Sequence, residues 1–327
     1  MEAQINVLPK DIIIRMALDM PLPTITAWCQ TNKRFNSFIC ANDDFWRLKF
    51  IKDYGTTSVN TRKYEGNWED IYRDYMNVWS FGTNNYGQLG LGDNIDRNIP
   101  TPITGFKAKA ISTGSYHTLF VDLNDNVWAF GSNESQQLGL GGNANRENIP
   151  TQVIGLKAKA ISTGSAHSLV VDLNDNVWSF GTNRFGQLGL GDNKERNIPT
   201  QILGLQVKAI SAGSYYSLLI DLDDNVWAFG GNGFEQLGLG DNINRNTPIQ
   251  IRGAKAKAIS TGNGHSLFID LNDNVWAFGY NSSGQLGLGD NKDRNIPTQV
   301  IGLKAKAISA DRGYSLIISS LGVSYHL

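Results

Sequence analysis

The sequence predicts a mainly β fold, a five-bladed β-propeller, preceded by a small all-α domain. Three observations carry this. The phrase Val78-Trp79-Ser80-Phe81-Gly82 returns at 127–131, 177–181, 226–230 and 275–279, at spacings of 49, 50, 49 and 49 residues. A near-constant period of this length marks a solenoid, propeller or array. Each period holds four short stretches of strand character, and the first 76 residues lack the phrase and follow a helical period instead.

The N-terminal elements come first in the chain. After Leu8-Pro9, the residues Ile12, Ile13, Met16, Ala17 and Met20 share one helix face, with Pro9 suited to the first turn. Ile25, Trp28 and Cys29 make a second apolar stripe. Asn32 can cap a third helix bearing Phe35, Phe38 and Ile39, and Asn42, Asp43 or Asp44 a fourth bearing Phe45, Trp46 and Leu48. These helices are too short to stand alone and must pack on one another. The predicted organisation is a helical domain over 1–54, a connector with a short helix over 55–77, and the repeat array over 78–327.

One repeat unit stands for all. Asn126–Gly131 alternates and is rich in β-formers, so it reads as a strand. A glycine-rich loop follows, then Ile149–Gly155 as a short strand with Pro150 near its start, where no ladder donor is needed. Lys157–Ser162 is the next strand, with Ala158, Ala160 and Ser162 small enough for close packing. His167–Asp172 is the fourth, and Asn174-Asp175-Asn176 turns the chain into the following Val-Trp strand. Four antiparallel strands per unit make a propeller blade, and radial closure removes exposed edges. The first repeat opens on a Val-Trp strand with no preceding partners, and after the fifth repeat Leu321–Tyr325 begins a sixth copy. The last blade is therefore expected to close by pairing of N- and C-terminal strands.

Bulk properties narrow the function. The chain has 327 residues, 29 Lys plus Arg and 30 Asp plus Glu. That balance excludes a general attraction to nucleic acid or anionic membrane. No stretch approaches the roughly 18 apolar residues of a spanning helix. Cys29 and Cys40 are the only cysteines, which predicts thiols in a reduced cytoplasmic or nuclear compartment, that of the host cell if the chain is viral.

His117, His167 and His265 share one repeat position with Tyr216 and Tyr314. A position that accepts His or Tyr reads as a packed aromatic with a hydrogen-bonding tip rather than a metal ligand or catalyst. The Gly-x-Gly phrases lead into strands, not the helix N-terminus that a phosphate loop needs. Asp93, Asp192, Asp241 and Asp290 are spaced to pair with Arg97, Arg196, Arg245 and Arg294 as loop braces. Nine lysines line the Lys-Ala-Lys-Ala strands, with Asp122, Asp172, Asp221 and Asp270 near enough in sequence to dilute them. No catalytic residue and no cofactor are expected.

Recognition is expected where the copies differ. The variable loop positions are Tyr86, Glu134, Arg184, Phe185 and Phe234 after the Phe-Gly phrase, and Tyr116, Tyr215 and Arg312 before the His/Tyr position. Varied charge and aromaticity on a fixed scaffold is the pattern of a target-binding surface.

The Gly-Gln-Leu-Gly-Leu-Gly-Asp phrases at Gly87–Asp93, Gly186–Asp192 and Gly284–Asp290, the Ser-Thr-Gly-Ser-x-His phrases at Ser112–His117 and Ser162–His167, and the Val-Trp-x-Phe-Gly strand together resemble the RCC1-like repeat family. That resemblance implies an RCC1-like β-propeller over 78–327. The order Leu8-Pro9-x-Asp11-Ile12-Ile13, Met20-Pro21-Leu22-Pro23, Asn32-Lys33-Arg34-Phe35-x-x-Phe38, Asp44-Phe45-Trp46 resembles an F-box. It departs from the family in Met20-Pro21 and in Phe35, where tryptophan is frequent. F-boxes bind a Skp1-like adaptor of a cullin ubiquitin ligase. By that resemblance Leu8, Pro9, Ile12, Ile13 and Phe35 would touch the adaptor, and the loops would hold a target protein. The alternatives are a protein- or chromatin-binding scaffold with a helical cap, and an exchange factor for a Ran-like GTPase.

Overall fold

A computed structural model describes residues 10–20, 25, 28, 29, 35–54, 77–142 and 144–320. The chain divides into two compact units, Met1–Asn77 and Val78–Leu327.

In the first unit, helix α1 spans Lys10–Leu18, a π-helical turn spans Asn36–Cys40, and helix α2 spans Asp43–Tyr54. Asn42 caps α2. Its Oδ1 accepts from the backbone N–H of Asp44 at 3.1 Å and of Phe45 at 3.4 Å, and Asp43 and Asp44 place negative charge on the first turn. Ile13, Ala17, Ile25, Phe35, Ile39, Phe45 and Trp46 form the core. Lys49 Nζ donates to the Leu18 carbonyl at 3.0 Å, tying α2 to the end of α1. Cys29 and Cys40 flank this core and are joined by a disulfide, with Cα atoms 6.2 Å apart. This departs from the expectation of free thiols: the fold carries the two cysteines to a separation that a disulfide spans. The expected cap at Asn32 and the helix of the connector lie outside the described residues.

The second unit is an antiparallel meander. Its strands are β1 Asn77–Gly82, β2 Arg97–Thr113, β3 His117–Asp122, β4 Asn126–Ser132, β5 Arg146–Thr163, β6 His167–Asp172, β7 Asn176–Gly181, β8 Arg196–Ala212, β9 Tyr216–Asp221, β10 Asn225–Gly230, β11 Arg245–Thr261, β12 His265–Asp270, β13 Asn274–Gly279, β14 Arg294–Ala310 and β15 Ser315–Ser319. Each pairs with its neighbours in sequence order.

Two of the four strands expected per unit are one. The first half of β5 pairs with β4, placing Trp128 opposite Gln152, and its second half pairs with β6, placing Ile161 opposite Val170. Gly155, at φ +79°, bends the strand between its two roles. β2, β8, β11 and β14 do the same, so every long strand is the last of one blade and the first of the next. Four complete four-stranded blades result. A half blade remains at each end: β1 with the start of β2, and the end of β14 with β15.

The blades stack through one recurring contact. Phe130, Phe180, Phe229 and Phe278 are buried, and each ring lies against a glycine of the preceding unit. A Cβ added at Gly90, Gly139, Gly189 or Gly238 would stand 2.9, 2.7, 2.9 or 2.7 Å from the ring. The expected closure is not seen. Among the described residues the sheet runs from β1 to β15 without joining its ends. Leu321–Tyr325, expected to help close the ring, lies outside the described residues.

Candidate protein-binding rim

The histidines are seam residues. His117 Nε2 lies 3.0 Å from Ser168 Oγ, His167 Nε2 3.1 Å from Ser217 Oγ, and His265 Nε2 3.0 Å from Ser315 Oγ, each contact crossing from one unit to the next. Tyr216 does the equivalent: its hydroxyl donates to the His265 carbonyl at 2.5 Å and accepts from Ser266 Oγ at 3.1 Å. Burial pushes His117 and His167 down to about 3 and His265 to about 4, so all three are neutral in the folded protein near pH 7. Burial pushes the Tyr216 hydroxyl up.

The aspartates divide the labour differently from the expectation. Asp172 Oδ1 accepts from the backbone N–H of Asn174 at 2.8 Å and of Asn176 at 2.9 Å, while Oδ2 accepts from Asn176 Nδ2 at 2.9 Å and Trp178 Nε1 at 3.0 Å. Asp122, Asp221 and Asp270 repeat this set. They hold the turn and the tryptophan, and they leave the lysines alone. Lys109, Lys159, Lys208 and Lys257 pair instead with Asp125, Asp175, Asp224 and Asp273. Lys157, Lys255 and Lys304 donate to backbone carbonyls of the same turns. Seven of the nine lysines are thus paired with a carboxylate or tethered to a carbonyl. The loop braces form as spaced, Arg97 to Asp93 at 2.6 Å, Arg196 to Asp192 at 2.8 Å, Arg245 to Asp241 at 2.5 Å and Arg294 to Asp290 at 2.7 Å.

The variable loop residues assemble into one feature. Tyr86 and Tyr116, thirty residues apart, bring their rings to 4.9 Å. Phe185 and Tyr215 do so at 5.4 Å. Phe234 stands over Gly264, where an added Cβ would lie 3.2 Å from its ring, and its centroid is 5.1 Å from that of Tyr280. Two loops that the sequence presents separately therefore build one rim, aromatic at the first, third and fourth units. Tyr116, Tyr215 and Phe234 stay half exposed, and Glu134 and Arg184 are exposed beside them. Tyr280 was not singled out by the sequence reading; its aromatic replacement of Thr, Ser or Gly at the same repeat position was the available signal.

Tyr116 and Tyr215 also border a polar cavity of about 950 Å³ lined by Ser115, Ser165, Ser214 and Asn263. Ser115 Oγ donates to Ser165 Oγ at 3.3 Å. Arg312 and Asp311 complete the lining from the last unit. Asp311 accepts from the Tyr314 hydroxyl at 3.1 Å, and that carboxylate pushes the Tyr314 hydroxyl up.

In the helical unit the five expected adaptor contacts separate. Ile13 and Phe35 are 2% and 1% exposed and belong to the core; the helix turns the first inward with Ala17, and the second packs edge-on against Trp28 at 5.2 Å. Ile12 is 42% exposed, as is neighbouring Met16 at 41%. Leu8 and Pro9 lie outside the described residues. Among the described residues no group of three His, Cys, Asp or Glu is placed to hold a metal, and no helix is long and apolar enough to cross a membrane.

Stretches 77–121, 124–171, 174–220, 223–269 and 272–318 match the family described as Regulator of chromosome condensation (RCC1) repeat, and four overlapping stretches match a second descriptor of the same repeat. Human WBSCR16 superposes with a TM-score of 0.68 at 20% identity, over 76% of this chain and 68% of that one. Prp20p from Saccharomyces cerevisiae superposes with a TM-score of 0.63 at 20% identity, over 75% of this chain and 66% of that one. The yeast RCC1 (Prp20) bound by Kap60 gives 0.65 at 19% identity, over 75% and 63%. The chain thus spans about two thirds of the length of these structures, and the likeness is one of fold. The Prp20p structure was described with that protein's binding properties to Gsp1p and histones. No curated protein sequence matched the chain.

Proposed function

The chain belongs to the RCC1-repeat family, and we propose that it is a protein-binding scaffold whose aromatic rim holds a partner protein. The pairing of the variable loops carries this reading: aromatic rings are placed, half exposed, at the positions that the repeat leaves free. Rings of this kind supply large contact area at small entropic cost, which is why they anchor interfaces. The pairing of Lys109, Lys159, Lys208 and Lys257 with aspartates favours a protein over nucleic acid. On this reading the scaffold acts by holding a partner.

A direct test compares the wild type with a Tyr116→Ser, Phe185→Ser, Tyr215→Ser, Phe234→Ser variant as affinity baits. Because Prp20p was studied with Gsp1p and histones, a Gsp1-like GTPase and histones are the first defined probes. Loss of the same partner from the rim variant, with retention by a Lys159→Ser control, supports the reading; equal retention by both overturns it. Catalysed nucleotide release from the GTPase would reassign the chain as an exchange factor.

A second reading keeps the ubiquitin-ligase role, with the helical unit on a Skp1-like adaptor and cullin. Ile12 and Met16, exposed on one face of α1, favour it. The discriminating variant is Ile12→Asp with Met16→Asp, since Ile13→Asp would break the core. Skp1 binding lost in that variant supports the adaptor role, and no binding by the wild type removes it.

A further inference from the structure

The two half blades are complementary, and their apolar faces are the ones that every internal junction buries. Phe81 holds the position of Phe130, Phe180, Phe229 and Phe278, yet it is 63% exposed where Phe130 is 1% exposed. Leu316 and Ile318 hold the positions of Leu119 and Val121, yet they are 65% and 57% exposed where those are 0%. The glycine that seats the next unit's phenylalanine is Gly90, Gly139, Gly189 and Gly238 inside the chain. In the fifth unit it is Gly287, where an added Cβ would meet no ring, only Val300 at 3.9 Å. Gly287 instead opens on a cavity with Leu267, Leu286, Val300, Leu303 and Ile317 among its lining residues. Among the described residues the repeat array thus carries an unseated phenylalanine at one end and an unfilled phenylalanine seat at the other.

We propose that these ends meet between two copies of this chain, β1 of one copy completing the blade begun by β14 and β15 of the other. The register is set by the internal blades. β3 pairs with β4 so that Thr118 faces Phe130, Leu119 faces Ala129, Phe120 faces Trp128 and Val121 faces Val127. The same ladder between copies sets Ser315 opposite Phe81, Leu316 opposite Ser80, Ile317 opposite Trp79 and Ile318 opposite Val78. Phe81 then enters the seat at Gly287, while Leu316 and Ile318 cover the second copy's first complete blade. A second copy fits because its β1 brings Phe81 to the seat at Gly287 as Phe130, Phe180, Phe229 and Phe278 are brought to Gly90, Gly139, Gly189 and Gly238 at the four internal junctions, and the described sheet does not join β15 to β1 within one chain. Such a contact is heterologous, head to tail, and joins unlike ends. The seam differs from the internal ones at its inner end. A Cβ at Gly114, Gly164 or Gly262 would lie 2.4, 2.3 or 2.2 Å from the next unit's carbonyl, and the last unit has Asp311 at that position. The join is therefore wider there and relies on the outer strands.

The test uses the whole chain in sedimentation velocity, with Phe81→Asp and Leu316→Asp plus Ile318→Asp as variants. All three residues are exposed, so circular dichroism should stay unchanged. The wild type is expected to gain mass with concentration and each variant to remain monomeric. An equimolar mixture of the two variants, each retaining one intact end, is expected to form a 1:1 dimer. Variants with one added cysteine, Ser80→Cys and Leu316→Cys, mixed and oxidised, should give a cross-linked pair. A wild type that is monomeric at every concentration, or a Ser80→Cys, Leu316→Cys double variant that cross-links only within one chain, overturns the proposal in favour of intramolecular closure.

Discussion

His167 Nε2 reaches Ser217 Oγ at 3.1 Å across a blade boundary, in a site closed to water. The contact joins two units through an uncharged imidazole. Charging that ring would place an ion among packed strands with no counterion, which is why the folded protein resists its protonation.

Acid should weaken the fold before its carboxylates titrate. His117, His167 and His265 fall from an ordinary value of 6.5 to about 3, 3 and 4. Below pH 6.5 the unfolded chain binds protons that the folded chain refuses, so stability falls as pH falls through that window. The loss is about 1.4 kcal/mol per pH unit for each histidine. The structural carboxylates, such as Asp172, are held below 3.8, so their contribution is lost only at lower pH. Urea unfolding midpoints at pH 7, 6, 5 and 4.5 check this; a flat profile would refute it, and His167→Gln should remove about a third of the slope.

Glycines at the two kinds of bend should respond differently to alanine. Gly139→Ala meets Phe180 at 2.7 Å with φ at +67° and should cost about 3 kcal/mol or more. Gly155→Ala has a similar φ, +79°, but open space around it, and should cost only about 1 kcal/mol. Thermal unfolding of the two variants provides the comparison.

Asp172→Ala removes the acceptor of four hydrogen bonds. Charge-assisted bonds of this kind predict a loss of about 3 kcal/mol. Trp178→Phe removes a single donor and some ring packing, and should cost less than Asp172→Ala. Chemical denaturation ranks them, and the opposite order would mean that the turn does not depend on its carboxylate.

The lysine rows should not bind DNA. With four lysines paired to aspartates and three bonded to carbonyls, fluorescence anisotropy with a duplex probe should show no steep salt dependence. A slope of several released counterions would contradict the neutralisation.

Much of this was legible in the sequence because it repeats. The period gave the strands, the Asp-Arg spacing gave the loop braces, and the alternation of His with Tyr gave a packed aromatic with a hydrogen-bonding tip, though not the seam it spans. What was hidden depends on partners far apart in sequence. Asp122 is the nearer of the two to Lys109 in sequence, but the turn aims Asp122 at Trp128 and leaves Asp125 for the lysine. The junction of the second and third stretches of each unit reads as a break at Gly155, whereas a positive φ lets the strand continue through it. Tyr86 and Tyr116 lie in different loops, and only the blade's return path makes them neighbours. In the helical unit, periodicity identified the apolar residues without telling which of Ile12 and Ile13 faces inward.

The long strands have a consequence for how such a chain can change its length. Each is sewn into two sheets, so the natural module is not a blade but a stitch, running from the middle of one blade to the middle of the next. A duplication or deletion of one whole period, wherever it starts, leaves every remaining seam with its proper partner. A cut placed at the visible edge of a blade, within Gly155 or its counterparts, would unpick two neighbours together. Recombination can therefore lengthen or shorten the array freely in steps of about 49 residues, while truncation at apparent blade borders is the change it tolerates least.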